Sequence, residues 1–190
     1  MIIGITGVFG SGKTAAARLF AEHGYLHVNA DEIGHAILNK EPVKGRVINE
    51  FGKSILTNSQ IDRKKLKNIV FNKPKELAKL NKIIHPAIIS EIKSAIRRNK
   101  NKKIIVDGAL IIEAGCLDLF DKLVAVKISK KEQMKRALAK NKYTKQEIKN
   151  IISSQLPQKE KLKYADIVVD NSGSLSNTKK QVEKIIKGLK

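Results

Sequence analysis

The sequence has no tryptophan and few aromatic residues of any kind, 4% of 190 positions. That scarcity argues against a protein that reads single-stranded nucleic acid by stacking bases on aromatic rings. The single cysteine, Cys116, cannot form an internal disulfide, which suits a reducing cytosol. No apolar run reaches the roughly 18–20 residues that a bilayer span needs, so an integral helical membrane protein is excluded. The opening MIIGITGVFGSGKT lacks a basic segment ahead of a long apolar stretch, and no secretory signal is expected. Acidic residues are also scarce. There are 18 Asp and Glu against 38 Lys and Arg, a net charge of +20. Such an excess suits anionic partners, either phosphorylated small molecules or nucleic acid, although a solvated basic surface is the plainer reading. What remains is ordinary. With 42% apolar positions, the chain can bury the core of one globular domain with a small insertion.

Short apolar runs alternate with helical patterns. Residues 2–6 (IIGIT), 25–28 (YLHV), 104–106 (IIV), 123–128 (LVAVKI) and 167–169 (IVV) read as buried parallel strands, apolar throughout and bounded by Gly, Asp or Asn. A helix is expected from Lys13 to about Glu22. Residues 32–100 are mostly helical in pattern and too long for one crossover helix, so they read as an inserted helical subdomain. The pair His85-Pro86 is expected to start an amphipathic helix there, with the proline in its first turn. Residues 130–163 form a second helical stretch, a helix pair. Its two starts have capping-box form, Ser129–Glu132 and Thr144–Glu147. The fold class expected is α/β with a parallel five-stranded sheet flanked by helices.

One motif carries chemistry. Gly7-Val-Phe-Gly10-Ser-Gly12-Lys13-Thr14 fits G-x-x-x-x-G-K-[ST] between an apolar strand and a helix. Glycines let the backbone curl so that successive N–H groups converge on phosphate oxygens. The helix N-terminus adds partial positive charge. Lys13 would reach the β- and γ-phosphates, and the Thr14 hydroxyl would face Mg²⁺. Chance supplies this pattern in roughly 1% of chains of this length, so phosphate binding is the working expectation. The motif does not choose the acceptor.

Several residues could complete a site. Asp31 follows the second strand, where clefts form at the carboxyl ends of parallel strands. It could orient a hydroxyl, and it could equally cap the next helix. Asp107 closes its strand and could support magnesium or serve as a turn residue. Glu113 is equally open, and a lone histidine such as His85 is more often a packing residue. Arg136 and Lys140 lie four apart on one helix face and could neutralise transferred phosphate, or form a solvated basic face. Asn171-Ser-Gly173 reads as a turn that could touch a nucleotide base.

Together these pieces resemble the dephospho-coenzyme A kinase family over nearly the whole chain. The resemblance rests on the phosphate loop, Ala30-Asp31, Ile61-Asp-Arg63, His85-Pro86, Leu110-Ile-Ile-Glu113, Gln133-Met-Lys-Arg136, Gln155-Leu-Pro157, Lys161 and Ala165–Gly173. It implies a P-loop nucleotide-binding core (residues 1–31 and 101–190), a coenzyme-binding insertion (32–100) and a lid (about 130–163). It implies ATP-dependent phosphorylation of the ribose 3′-hydroxyl of dephospho-coenzyme A. Asp31, Lys13 and Arg136 would be catalytic. Gly10, Ser11, Gly12, Lys13, Thr14, Ala15, Asn171 and Gly173 would hold ATP. Asp31, His85 and Lys140 would meet the acceptor, and Thr14 and Asp107 would support Mg²⁺. Three positions depart from the family's usual pattern: Asn29 where Asp is usual, Ala109 ahead of Leu-Ile-Ile-Glu, and Lys140 where a second Arg is common. The expected protein is cytoplasmic, a monomer or weak homo-oligomer, with no membrane partner and no obligatory nucleic acid. Another small-molecule or nucleoside P-loop kinase is the nearest alternative, and a nucleic-acid-binding NTPase a more distant one. A GTPase is disfavoured because no Asn-Lys-x-Asp occurs.

Overall fold

The computed structural model describes residues 1–70, 73–139 and 143–189. The chain packs as two compact units, Met1–Asn29 with Ile96–Lys190, and Ala30–Ala95.

The first unit is built on five strands: β1 (Ile2–Thr6), β2 (Leu26–Asn29), β5 (Ile104–Asp107), β6 (Lys122–Lys127) and β7 (Ile167–Asp170). They pair in the order β2-β5-β1-β6-β7, and every pairing is parallel. Central β1 is enclosed on both sides, which is why its residues are apolar without alternation. Ile3, Ile5, Ile105, Val124, Val126 and Val169 join Ala16, Ala17 and Phe20 of α1 (Lys13–Ala21) and Val182 of α9 (Leu175–Gly188) in one core. Each of the isoleucine, valine and phenylalanine side chains contributes about 1.5–3 kcal/mol on full burial. The second strand is displaced one residue from its expected start, because Tyr25 belongs to the turn and packs edge-on against Phe20.

The described residues of 130–163 form three helices rather than a pair: α6 (Lys130–Ala139), α7 (Lys145–Ser153) and α8 (Gln158–Lys163). Pro157 stops the chain and reopens it as α8, a break that apolar spacing alone did not register. The two expected caps differ. Thr144 and Glu147 form a complete capping box. At α6 only half of one forms. The Ser129 hydroxyl accepts from Glu132 N–H at 3.3 Å, while the Ser129 N–H donates to Ser172 Oγ at 2.9 Å. A tertiary partner has replaced the local one.

The second unit holds α2 (Ala30–Ile37), α3 (Val43–Phe51), α4 (Arg63–Val70) and most of α5 (Pro74–Arg98). Its own core includes Leu38, Val47, Ile55, Leu66, Leu80 and Ile83. It is not wholly helical. β3 (Leu56–Thr57) and β4 (Gln60–Ile61) make a small antiparallel hairpin. Its turn residues Asn58 and Ser59 have φ of 48° and 60°, the mirror-type turn that suits the twist of paired strands. The expectation for His85-Pro86 is overturned. Pro86 lies inside the 25-residue α5, not in its first turn. It denies the Lys82 carbonyl its intrahelical donor, a cost offset by burial of Leu80, Ile83 and Ile92 on the same helix.

Candidate active site

The phosphate loop runs from the end of β1 into α1. Val8 to Ser11 form a tight turn closed by Ser11 N–H donating to the Val8 carbonyl at 3.0 Å. Gly10 and Gly12 have φ of 79° and 86°, left-handed values that a side chain would strain. Gly12 is also crowded. A Cβ there would run into the Asn171 side-chain nitrogen. The first turn of α1 carries no acidic residue, so its positive end is left for an anion. Gly12→Ala is therefore expected to weaken ATP binding at least about tenfold through strain and displacement of Asn171. Calorimetric titration would check this, and near-parental affinity would contradict it.

Three side chains distant in sequence hold the loop. Asn171, 4% exposed, donates to the Ser11 carbonyl at 2.7 Å and accepts from Thr178 Oγ1 at 2.7 Å. Gln155 Oε1 accepts from Phe9 N–H at 2.8 Å, and Gln133 Nε2 donates to the Phe9 carbonyl at 2.7 Å. Asn171 thus belongs to a buried brace. The backbone of Ser172 and Gly173 continues past it, shaped by Asp170, whose carboxylate accepts from Ser172 N–H at 2.9 Å. The Ser172 hydroxyl first, then its N–H, with help from Lys127, hold the Asp170 carboxyl below the usual carboxylate range.

Asp107 ends β5, where it pairs in register with Ile5 of β1 and Asn29 of β2. It is 1% exposed, with Lys13 Nζ at 3.9 Å and His27 Nε2 at 3.7 Å. Both distances are looser than a hydrogen-bonded ion pair. Lys13 leads from the first residue of α1 toward this carboxylate, and Thr14 is the next residue of the same turn. Ala15 is exposed on the helix and Ser11 is buried beneath the loop.

A second charged pair stands behind the first. Lys161 Nζ, fully buried, contacts both Glu113 carboxylate oxygens at 2.6 and 2.8 Å and the Ala109 carbonyl at 2.7 Å. Glu113 also accepts from Leu156 N–H at 2.9 Å. Burial pushes the Lys161 ammonium below its ordinary range; Glu113 opposes that shift and the charge of Lys13 adds to it. Ala109, one of the departures from the family's pattern, therefore takes part through its backbone rather than its side chain.

Arg136 on α6 donates to the Gly173 carbonyl at 2.8 Å and lies 3.5 Å from Glu132. The structure so brings Arg136 and Gly173 together. Lys140 lies outside the described residues. In the second unit, Asp31 occupies the exposed first turn of α2. His35, one turn on, accepts from Arg63 at 2.7 Å. Burial and Arg63 lower the His35 pKa, while Asp31 and Glu32 act against them. His85 is half-buried in the middle of α5.

Sequence reasoning gave no individual role to Gln133, Gln155 or Lys161, and none to Thr178. The helix-breaking Pro157, two residues after Gln155, was the one local signal. The partners of Gln133, Gln155 and Lys161, 48 to 146 positions away, were not visible.

Among the described residues no group of three or more His, Cys, Asp or Glu could by itself hold a metal ion. None of their helices is long and apolar enough to cross a membrane.

Comparison with known proteins agrees with this arrangement. The family model described as dephospho-CoA kinase matches residues 1–177. A dephospho-CoA kinase of Carboxydothermus hydrogenoformans is 40% identical, covering 97% of this chain and 92% of its own. One from Fusobacterium nucleatum is 39% identical, covering 97% and 96%. The solved dephospho-CoA kinase from Campylobacter jejuni superposes with a TM-score of 0.72 at 26% identity, covering 99% of this chain and 96% of that one. A parallel sheet with a glycine-curled loop at its centre, matched from end to end at this level of identity, leaves one assignment: the chain belongs to the dephospho-CoA kinase family.

Proposed function

We propose that this chain transfers the γ-phosphoryl group of ATP to the ribose 3′-hydroxyl of dephospho-coenzyme A, giving coenzyme A and ADP. The observation that carries the reading is the braced phosphate loop, with Lys13 leading from it toward a buried carboxylate, in a chain of this family. Phosphoryl transfer asks the protein mainly for positioning and for charge placed where it develops. The N–H groups of Gly10, Gly12, Lys13 and Thr14 cradle the phosphates, while the Ser11 N–H stays with the Val8 carbonyl, and Lys13 neutralises the transferred group. Arg136 exchanges its Gly173 carbonyl for phosphate oxygens, for which a guanidinium is the better fork. The loop of Asn171 to Gly173 borders the base, and Ala15 extends the helix end that faces the phosphates.

Asp31 is the group that takes the acceptor's proton. It lies two residues beyond Asn29, the ladder partner of Asp107, so its chain leaves the sheet at the strand end nearest the loop. The 30–95 unit, with His85, supplies the acceptor's binding surface, and Lys140 adds charge from the lid formed by 130–163.

The residues present fit Mg²⁺. This ion takes one or two side-chain oxygens and completes its shell with water and phosphate. Thr14 and the buried Asp107, whose carboxylate has His27 at 3.7 Å and Lys13 at 3.9 Å, would supply such a donor set. Bound there, the ion would offset phosphate charge. The enzyme works on small molecules in the cytoplasm, with no obligatory nucleic acid, as a monomer or weak homo-oligomer.

ADP release from ATP, measured against a panel of acceptors, tests the reading. Turnover is expected with dephospho-coenzyme A. Turnover with a nucleoside or shikimate-like alcohol, and none with dephospho-coenzyme A, would reassign the protein to another small-molecule kinase.

A further inference from the structure

We infer that Gln133 and Gln155 are positioning residues that hold the phosphate loop in its binding shape by gripping the two peptide groups on either side of Phe9. The inference rests on the nucleotide-binding half of the proposed function and is independent of the acceptor.

The turn from Val8 to Ser11 has Phe9 and Gly10 at its centre, and the Gly10 φ of 79° is that of the third residue of a type II turn. The competing type I turn keeps the same ends and differs by rotation of the Phe9–Gly10 peptide plane. In a trans peptide the carbonyl and the N–H point in opposite directions. Whatever fixes the Phe9 carbonyl therefore fixes the direction of the Gly10 N–H, the first amide of the cradle. Gln133 Nε2 is that fixing group, at 2.7 Å. Its orientation is dictated, because only a donor can meet a carbonyl. Gln155 Oε1 holds the preceding peptide through the Phe9 N–H at 2.8 Å, and there only an acceptor serves. The grip comes from α6 on one side and from the segment joining α7 to α8 on the other. The Phe9 ring adds an edge-to-face contact with Tyr143, centroids 5.6 Å apart. The cover thus sets the shape of the loop it lies against.

The two glutamines have opposite hydrogen-bond duties, which gives an internal control. Gln133→Glu and Gln155→Glu each add one negative charge beside Phe9. At 133 the carboxylate repels the Phe9 carbonyl and favours the rotated peptide. At 155 it still accepts from the Phe9 N–H. Titration of Mg²⁺-ATP into the full chain, with no acceptor present, is expected to show affinity reduced about tenfold or more for Gln133→Glu. The reduction for Gln155→Glu is expected to stay within about threefold. Methionine, which removes the polar atoms and keeps the volume, should weaken binding at both positions. Gln133→Met carries the test should Gln133→Glu fail to fold. Equal losses for the two glutamate variants would assign the effect to charge, and parental affinity for Gln133→Glu or Gln133→Met would remove the role altogether; either result overturns the inference. Absence of turnover with dephospho-coenzyme A would leave these affinities, and so this inference, untouched.

Discussion

Replacing Asp31 with asparagine is expected to lower kcat by about 10²–10⁴-fold while leaving the affinity for ATP near the parental value. Asparagine keeps the size and one accepting oxygen but cannot take a proton at neutral pH. The contrast with Asn29 sharpens the expectation. This chain already carries an amide two residues earlier, at the end of β2, so the acid at 31 has no carboxylate substitute at that position. Rapid-quench measurement of the transfer step, alongside ATP titration, separates chemistry from binding. A variant that transfers phosphate within threefold or so of the parent would show that proton removal is carried by another group or by solvent.

The second large effect falls on stability. Glu113→Gln leaves the buried Lys161 with neutral acceptors only, the Ala109 carbonyl and an amide oxygen, in place of a carboxylate at 2.6 Å. Breaking one partner from such a pair costs about 3–5 kcal/mol, because a charge remains in a medium that cannot solvate it. The pH dependence has a defined sign. Burial already holds the Lys161 ammonium below its ordinary range, and loss of Glu113 removes the group that opposes this shift. Between the folded pKa and the ordinary lysine value the unfolded chain binds the proton that the folded chain has lost. Stability therefore rises with pH across that window. The gap between parent and Glu113→Gln in urea unfolding should be widest on the acid side of that window and narrow as the pH rises through it. The paired change Glu113→Gln with Lys161→Met should recover much of the loss, since neither charge then remains. A gap independent of pH would mean that packing, not charge, sets the cost.

What the sequence made legible depended on range. Strands β1, β5, β6 and β7 are short β-branched runs, buried along most of the first three but not in edge strand β7, where Val168 is exposed, and the glycine-lysine-threonine loop announces itself by local backbone needs. The capping box at Thr144 is complete within four residues and could be read directly. At Ser129 the same pattern was half right, because Ser172 competes for the N–H and lies 43 positions away. Pro86 misled for a related reason. A proline favours a first helical turn only when nothing stabilises the residues before it, and here Leu80 and Ile83 are buried on the same helix. The hairpin of β3 and β4 escaped because two-residue strands have no measurable alternation, although Asn58 is a residue type that tolerates left-handed backbone. At the site, Lys13, Thr14 and Gly12 were evident from spacing. Asn171 read as a turn residue, since nothing nearby indicates that its amide reaches Ser11.

The ladder register carries a consequence for biosynthesis. The strand made first, β1, finds its neighbours only at Ile104 and Lys122. During translation it must wait, an unpaired apolar segment, until more than half the polypeptide has left the ribosome. The intervening stretch has a core of its own and can condense meanwhile. Nascent chains cut off before residue 104 should accordingly hold a protected middle and a sticky front end, the species on which a holding chaperone would act.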